Sequence, residues 1–413
     1  MQTHTLKVLI LLALLTVLAA GCGGHSSNNS SPAPHPDTNR HWTILVYMAA
    51  DNNLEEYAFS DFNELEMIGS TQQVSVVVQF DRIPGYDASN GNWTSTRRYY
   101  VTKDADAVNI HSTMLADLGE LDMADSSTLT DFVQWGVENY PANHYMLVMW
   151  DHGRGWRTQA MRTMALQREI KAISVDNTDN SEMSLTGLAQ ACRQMPHMDV
   201  TLFDACLMAM LEVAYSIEDS TDVMVASEEN IPVLGQPYDR MLLRITADPD
   251  MTSLAFGQAI AEEYIGYYTS HYSGNFTISA ISTASVGQVA SRADDLARAI
   301  RGNLASVRSA VESAQQQTQH YDFDKQVYDD YKDLYDFARL VESSTANTEV
   351  RTAAQSLREA IDDAVICERH SGADVPNSHG ISIYLPNPGT MSYQYTDIDF
   401  ARDTEWDEML QSY

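Results

Sequence analysis

The sequence predicts an α/β fold in which a mostly parallel sheet is covered by helices on both faces, and three observations predict it. Uninterrupted apolar runs recur at residues 43–48, 74–80, 145–150, 200–203 and 222–226. Such continuity marks strands buried on both sides. Stretches of helical spacing lie between several of them, at 54–68, 126–139 and 184–195, and alternation of this kind builds parallel sheets. Two of the runs stop abruptly at a reactive side chain, His152 and Cys206.

The first strand, 43–48, runs into Asp51-Asn52-Asn53, side chains suited to cap the helix over 54–68 rather than to hold a metal. Residues 74–80 form the second strand. Asn90-Gly91 marks a small hairpin or surface loop before Tyr99-Tyr100-Val101. Ser126-Ser127-Thr128 opens the helix over 126–139, and Tyr140-Pro141 closes it. Strand 145–150 ends at Asp151-His152-Gly153-Arg154-Gly155, where the glycines allow a tight turn and close backbone approach.

A helix over 184–195 follows, stopped by Pro196, and strand 200–203 leads into Asp204-Ala205-Cys206. Helical periodicity over 207–217 places the thiol at a helix N-terminus, where the dipole favours thiolate. Strand 222–226 stops at Ser227-Glu228-Glu229. Beyond residue 240 helical patterns dominate, at 253–272, 285–316, 324–342 and 349–368, with strands at 276–283 and 380–386. This last part, 241–413, completes the sheet and adds a helical lobe. Phe323, Val327, Tyr331, Leu334 and Phe337 repeat at helical spacing and belong to the core.

Open parallel sheets place their functional crevice beyond the carboxyl ends of the strands. An imidazole and a thiol that each terminate a strand meet there, and they are the pair needed for nucleophilic attack on an acyl carbon. The formal net charge of −32 argues against nucleic acid, whose phosphates require clustered Lys and Arg. A basic peptide would be attracted instead. No glycine-rich phosphate loop or zinc-type cysteine pairing is present. No metal site and no required cofactor are read from the sequence.

Lys7 precedes the apolar run 8–20, followed by Gly21-Cys22, the plan of an export signal too short for a membrane span. Leu18-Ala19-Ala20-Gly21-Cys22 resembles bacterial lipoprotein signals, although Ala19 stands where a larger aliphatic residue is usual. The resemblance implies a signal peptide over 1–21 and a lipid on Cys22, hence attachment to the cell envelope, the outer membrane being favoured because Gly23 is not acidic. Residues 22–40, rich in Ser, Asn, Pro and His, form a flexible tether to a catalytic core over 41–240. Cys192, Cys206 and Cys367 remain in the mature part, an odd number that points to a free thiol.

The segments 42–54, 150–155, 204–208, 227–229 and 380–386 together resemble the clostripain family of cysteine peptidases, whose fold is caspase-like. The resemblance implies a dyad in which His152 assists Cys206, with an acyl-enzyme and cleavage after Arg or Lys. Oxyanion donors are expected from the N–H groups of Gly153 and Cys206. Asp204, two positions before the thiol, is the expected partner of the substrate's basic side chain, with Glu228 and Glu229 at the pocket rim. Leu234 stands where family members often carry a second acid, which weakens or shifts basic preference. Relatives are commonly cut by themselves after the histidine strand, making Arg157, Arg162, Arg168 and Lys171 candidate sites; some depend on calcium. The competing reading is a catalytically silent, peptidase-like surface protein that binds peptides or protein partners.

Overall fold

A computed structural model describes residues 40–157, 173–321 and 329–412. Its strands are β1 (Trp42–Ala50), β2 (Val74–Arg82), β3 (Arg97–Tyr100), β4 (Thr113–Asp117), β5 (His144–Trp150), β6 (Ile173–Asp176), β7 (Ser181–Met183), β8 (Met198–Asp204), β9 (Thr221–Ala226), β10 (Phe276–Ser282), β11 (Tyr331–Asp333), β12 (Val365–Ser371) and β13 (Ser382–Tyr384). Nine of them form one sheet in the order β12-β10-β9-β8-β5-β1-β2-β3-β4. The five central strands β2, β1, β5, β8 and β9 are parallel, and antiparallel strands extend the sheet at both edges.

The helices are α1 (Glu55–Ile68), α2 (Ser126–Asn139), α3 (Leu185–Gln194), α4 (Leu211–Ile217), α5 (Tyr238–Ala247), α6 (Ser253–His271), α7 (Val286–Gly302), α8 (Leu304–Gln317), α9 (Leu334–Ser344), α10 (Thr348–Ala364), α11 (Asp399–Asp403) and α12 (Trp406–Gln411). Along β1, Leu45, Tyr47 and Ala49 join one core, which also holds residues of α2, α3, α4 and the helices from α7 to α10. Ile44, Val46, Met48 and Ala50 point the other way, into a core shared with α1, α5 and α6. Alternation puts both sets out of water, so the strand reads as unbroken apolar sequence. Truncating a residue such as Leu45 to alanine would cost about 2–5 kcal/mol.

Several expectations are refined. The helix over 285–316 is two helices, because Asn303 both closes α7, through N–H bonds to Ala299 and Ile300, and begins α8. Where one helix over 349–368 was expected, α10 stops at Ala364 and the chain continues directly as β12, paired antiparallel to β10. The late strand near residue 382 joins β11 in a separate two-stranded ribbon rather than the main sheet. α9 begins at Leu334, because the Asp333 side chain accepts from Asp336 N and caps it; residues 324–328 of the longer expected helix lie outside the described residues.

Candidate active site

β5 and β8 are neighbours in parallel register, with Trp150 beside Asp204. Whatever follows each strand therefore emerges on the same edge. The pairing continues one step, with Asp151 N donating to Asp204 O at 3.2 Å. Next come His152 and Gly153 on one side and Ala205 and Cys206 on the other. An ideal Cβ on Gly153 would lie 2.3 Å from Cys206 O and 2.7 Å from Cys206 N. Only glycine allows the two turns to touch so closely.

His152 Nε2 lies 3.0 Å from Asn53 Oδ1, at the end of β1. Asp151 holds the histidine turn from behind, one carboxylate oxygen accepting from Asn52 Nδ2 at 2.9 Å and from His152 N, the other from Val175 N. This orients the backbone of the turn. Asn52 also donates to Ala49 O and Val175 O, and Asp51 accepts from Asn177 N and Thr178. The Asx triplet thus ties β1 to the β6–β7 hairpin instead of capping α1, whose N-cap position is Leu54 with no side-chain cap; a lone Asx-type contact remains, from Leu54 N to Asn52 Oδ1.

The thiol is not at a helix N-terminus, because α4 begins only at Leu211. Cys206 sits in a turn, followed by Leu207 at φ 63°, a left-handed conformation rare for a branched side chain. Cys206 Sγ faces Ile231 O at 3.6 Å. Burial pushes its pKa up to about 12, with the charges of Glu229 and Asp204 adding to the rise and Arg154 opposing it. A pKa so raised favours the protonated thiol near neutral pH.

Beside Cys206 opens a cavity of about 810 Å³ whose walls include Glu229, Ile231, Val233, Phe276, His320 and Asp374. Glu229 lies at this rim, with Oε1 accepting from Asn230 N and Nδ2 at 2.8 Å. Glu228 does not line the cavity. It is buried, and its Oε2 accepts from Gly380 N at 3.0 Å, fastening the segment before β13. The two acids follow the end of β9 in a bend, which turns Glu229 toward the cavity and Glu228 toward the segment before β13.

Asp204 is buried beneath the thiol, with Oδ2 accepting from Tyr238 OH at 2.7 Å and Gln236 N at 3.1 Å. Asp61 of α1 is its neighbour, since a Cβ on Gly235 would approach Asp204 Oδ2 at 2.7 Å and Asp61 Oδ2 at 3.0 Å. Asp61 accepts from Trp150 Nε1 at 2.6 Å. Burial raises Asp204 to about 6, and burial together with the charge of Asp204 raises Asp61 well above the usual carboxylate range. Leu234 sits in the loop that closes over this acid pair. Asp61 was not singled out in the sequence, where it reads only as one acid of an amphipathic helix.

Arg157 is fixed by a two-pronged ion pair with Asp330 and lies over the rings of Trp156, Tyr331 and Tyr384. To enter an active-site cleft as a self-cutting site, Arg157 would have to leave these contacts. Arg162, Arg168, Lys171 and Cys22 lie outside the described residues.

Residues 46–413 match the family model described as Peptidase C11, clostripain family. Clostripain from Hathewaya histolytica is 28% identical over 227 residues, covering 51% of this chain and 43% of that protein. The chain therefore spans less than half the length of that curated relative. A secreted C11 cysteine protease from Bacteroides thetaiotaomicron, solved with an irreversible peptide inhibitor, superposes with a TM-score of 0.66 at 22% identity, covering 90% of this chain and 99% of that one. An inactive zymogen C11 protease from Parabacteroides distasonis gives 0.64 at 21% identity over 89% and 98%. These likenesses establish the shared fold.

Proposed function

The chain belongs to the clostripain family, and from that premise we propose that it is a cysteine endopeptidase in which His152 and Cys206 form the catalytic dyad. The observation that carries this reading is the contact of the two strand-end turns at Gly153 and Cys206, which only glycine permits. His152 takes the thiol proton, and the sulfur attacks the carbonyl carbon of the scissile bond. The N–H groups of Gly153 and Cys206 receive the negative charge on the carbonyl oxygen. As the tetrahedral intermediate collapses, imidazolium returns the proton to the departing amine and leaves an acyl-enzyme; water, deprotonated by His152, releases it. Asp151 acts as a positioning residue for the histidine turn. Each step is assigned to side chains and backbone groups, with no cofactor.

Basic preference is proposed at Asp204, reinforced by Asp61, which brings a second acid from α1 where the loop offers Leu234. Glu229 adds negative charge at the cleft. Burial favours the protonated form of both acids, and a guanidinium or ammonium reaching them would replace those protons in charge-assisted bonds.

The protonated thiol fits a latent, uncut state, in keeping with the relative described as an inactive zymogen. Self-cutting is proposed within 158–172, at Arg162, Arg168 or Lys171. The division into signal peptide (1–21), tether (22–40), catalytic core (41–240) and C-terminal part (241–413) is retained, with lipid on Cys22 holding the enzyme to the envelope. Among the described residues no helix is long and apolar enough to cross a membrane. The test is hydrolysis of peptidyl-Arg and peptidyl-Lys amides by wild type and Cys206→Ala. Loss of turnover in a folded variant is expected, and retained turnover would refute the assignment.

A further inference from the structure

The turn that follows Cys206 is held from two directions. On one side the bend after β9 grips it, with Glu229 O accepting from Leu207 N at 3.3 Å and Ser227 O from Ala209 N at 2.9 Å. On the other, Ser382 at the start of β13 donates to Ala209 O, from its backbone N at 2.8 Å and from its Oγ at 3.2 Å. Leu207 keeps its left-handed conformation between these supports. Such a backbone persists only where its surroundings over-determine it.

Glu228 is the side chain that joins the two supports. It stands in the bend, is buried, and accepts through Oε2 from Gly380 N at 3.0 Å, two residues before Ser382. Its other oxygen, Oε1, is buried without a hydrogen-bond partner. Asp333 of β11, Glu368 of β12 and Tyr321 face this carboxyl group. Tyr321 OH lies 3.3 Å from Asp333 Oδ2 and 2.9 Å from Ser378 Oγ. Farther out, His379 Nδ1 lies 3.3 Å from Asp333 Oδ1 while its ring stacks on Tyr335. Glu368 pairs there with His370 at 2.8 Å, and Asp336 with Arg339 at 2.6 Å.

Two carboxylates facing each other out of water do not both ionise, and folded proteins rarely retain a buried oxygen without a partner unless it serves a purpose. One hydrogen between Glu228 and Asp333 removes both penalties. Asp333 already accepts from Asp336 N and His379 N, each at 2.6 Å, so Glu228 is the carrier. Burial, and after it the charges of Asp333 and Glu368, push Glu228 well above the usual carboxylate range.

We propose that Glu228 is a positioning residue for Cys206: it shares one proton with Asp333, and this bond, together with the one to Gly380, locks the nucleophile's turn to the β11–β13 ribbon. The effect on turnover rests on the peptidase reading; the lock itself does not. In the unfolded chain a glutamate loses its proton near pH 4.3, whereas the folded chain holds this one to higher pH. As pH climbs above that value, stability therefore falls and the lock loosens.

The experiment compares the full chain with Glu228→Gln and Glu228→Ala between about pH 5 and pH 8. Glutamine carries its N–H hydrogens at every pH. It should keep kcat/KM on a peptidyl-Arg amide within about threefold of wild type near pH 6, and wild type should lose roughly 3 °C of Tm relative to it as pH rises. Alanine breaks the lock and should lower kcat/KM by roughly tenfold or more near pH 6. Parallel Tm curves for wild type and Glu228→Gln would overturn the shared proton, and kcat/KM within about threefold of wild type in Glu228→Ala would overturn the positioning role. If Glu228→Ala fails to fold, the pH profile decides: wild-type kcat/KM should lose ground to Glu228→Gln as pH rises, and a constant ratio would overturn the role. Absence of turnover in wild type and variants alike would strike the peptidase reading alone. Alkylation of Cys206 by iodoacetamide, expected to run about threefold faster in Glu228→Ala or in wild type at the alkaline end than in Glu228→Gln, then decides the positioning role, and equal rates would overturn it.

Discussion

Replacing Gly153 with alanine tests the dyad geometry through a residue that carries no chemistry of its own. The added Cβ would stand 2.3 Å from Cys206 O, 2.7 Å from Cys206 N and 2.9 Å from Ala205 Cβ. Two of these atoms are backbone, held by the strand pairing of β5 with β8, and cannot rotate away. Ordinary contact begins near 3.4 Å, so the two turns must part by about 1 Å, a displacement that in an active site costs on the order of a hundredfold in rate. Overpacking of this kind also costs about 1–3 kcal/mol of stability. The assay is kcat/KM on a peptidyl-Arg or peptidyl-Lys amide, alongside a thermal melt. Gly266→Ala is the control, because nothing lies within 4 Å of its Cβ position in α6, and it should gain about 0.5–1 kcal/mol from helix propensity. If Gly153→Ala kept kcat/KM within threefold of wild type, the reasoning that the turns must touch for His152 to serve Cys206 would be refuted.

Other expectations bear on the surroundings of that contact. Asp204 has its folded pKa raised to about 6 by burial, so as pH climbs from 4 to 6 the unfolded chain gives up this proton first and stability falls; denaturant melts should show a loss on the order of 2–3 kcal/mol across that window, removed in Asp204→Asn. Asp330→Ala takes a charge partner from the enclosed Arg157 and should lower stability by about 3 kcal/mol in a denaturant melt, whereas Arg157→Gln should leave the fragment pattern of the proposed self-cutting unchanged by gel and mass analysis. Because the Cys206 pKa is raised to about 12, its alkylation by iodoacetamide near pH 8, followed by peptide mass spectrometry, should run far slower than that of the same cysteine in the urea-unfolded chain; equal rates would exclude a raised thiol pKa.

The parts of this molecule that were legible in the sequence are those written by burial on both sides of a strand. β1, β2, β5, β8 and β9 are unbroken apolar runs because two cores flank them, and the ends of β5 and β8 announced themselves by reactive residues. What sequence could not place was set by long-range pairing. Val365-Ile366-Cys367 follows α10 without a Gly or Pro to stop the helix, and its β-branched residues become β12 only because β10 offers an edge. The hairpin β6–β7 is too short for a periodic signal, yet it holds Asp151 and Asn52. Asp61 and Asp204 meet across the fold from α1 and β8, a distance in sequence that no local pattern bridges. The break at Gly302-Asn303 was visible in principle, as a glycine and asparagine ending one amphipathic helix.

The central claim is that one sulfur and one imidazole act together at the junction of β5 and β8. Intact-mass and peptide mapping after treatment with a peptidyl-Arg chloromethyl ketone tests it most directly, on wild type, Cys206→Ala and His152→Ala. We expect a single adduct on Cys206 in wild type, none in Cys206→Ala, and labelling at least a hundredfold slower in His152→Ala, roughly the contribution of a positioned general base. Labelling of Cys192 or Cys367 instead, or undiminished labelling of Cys206 without His152, would contradict the account.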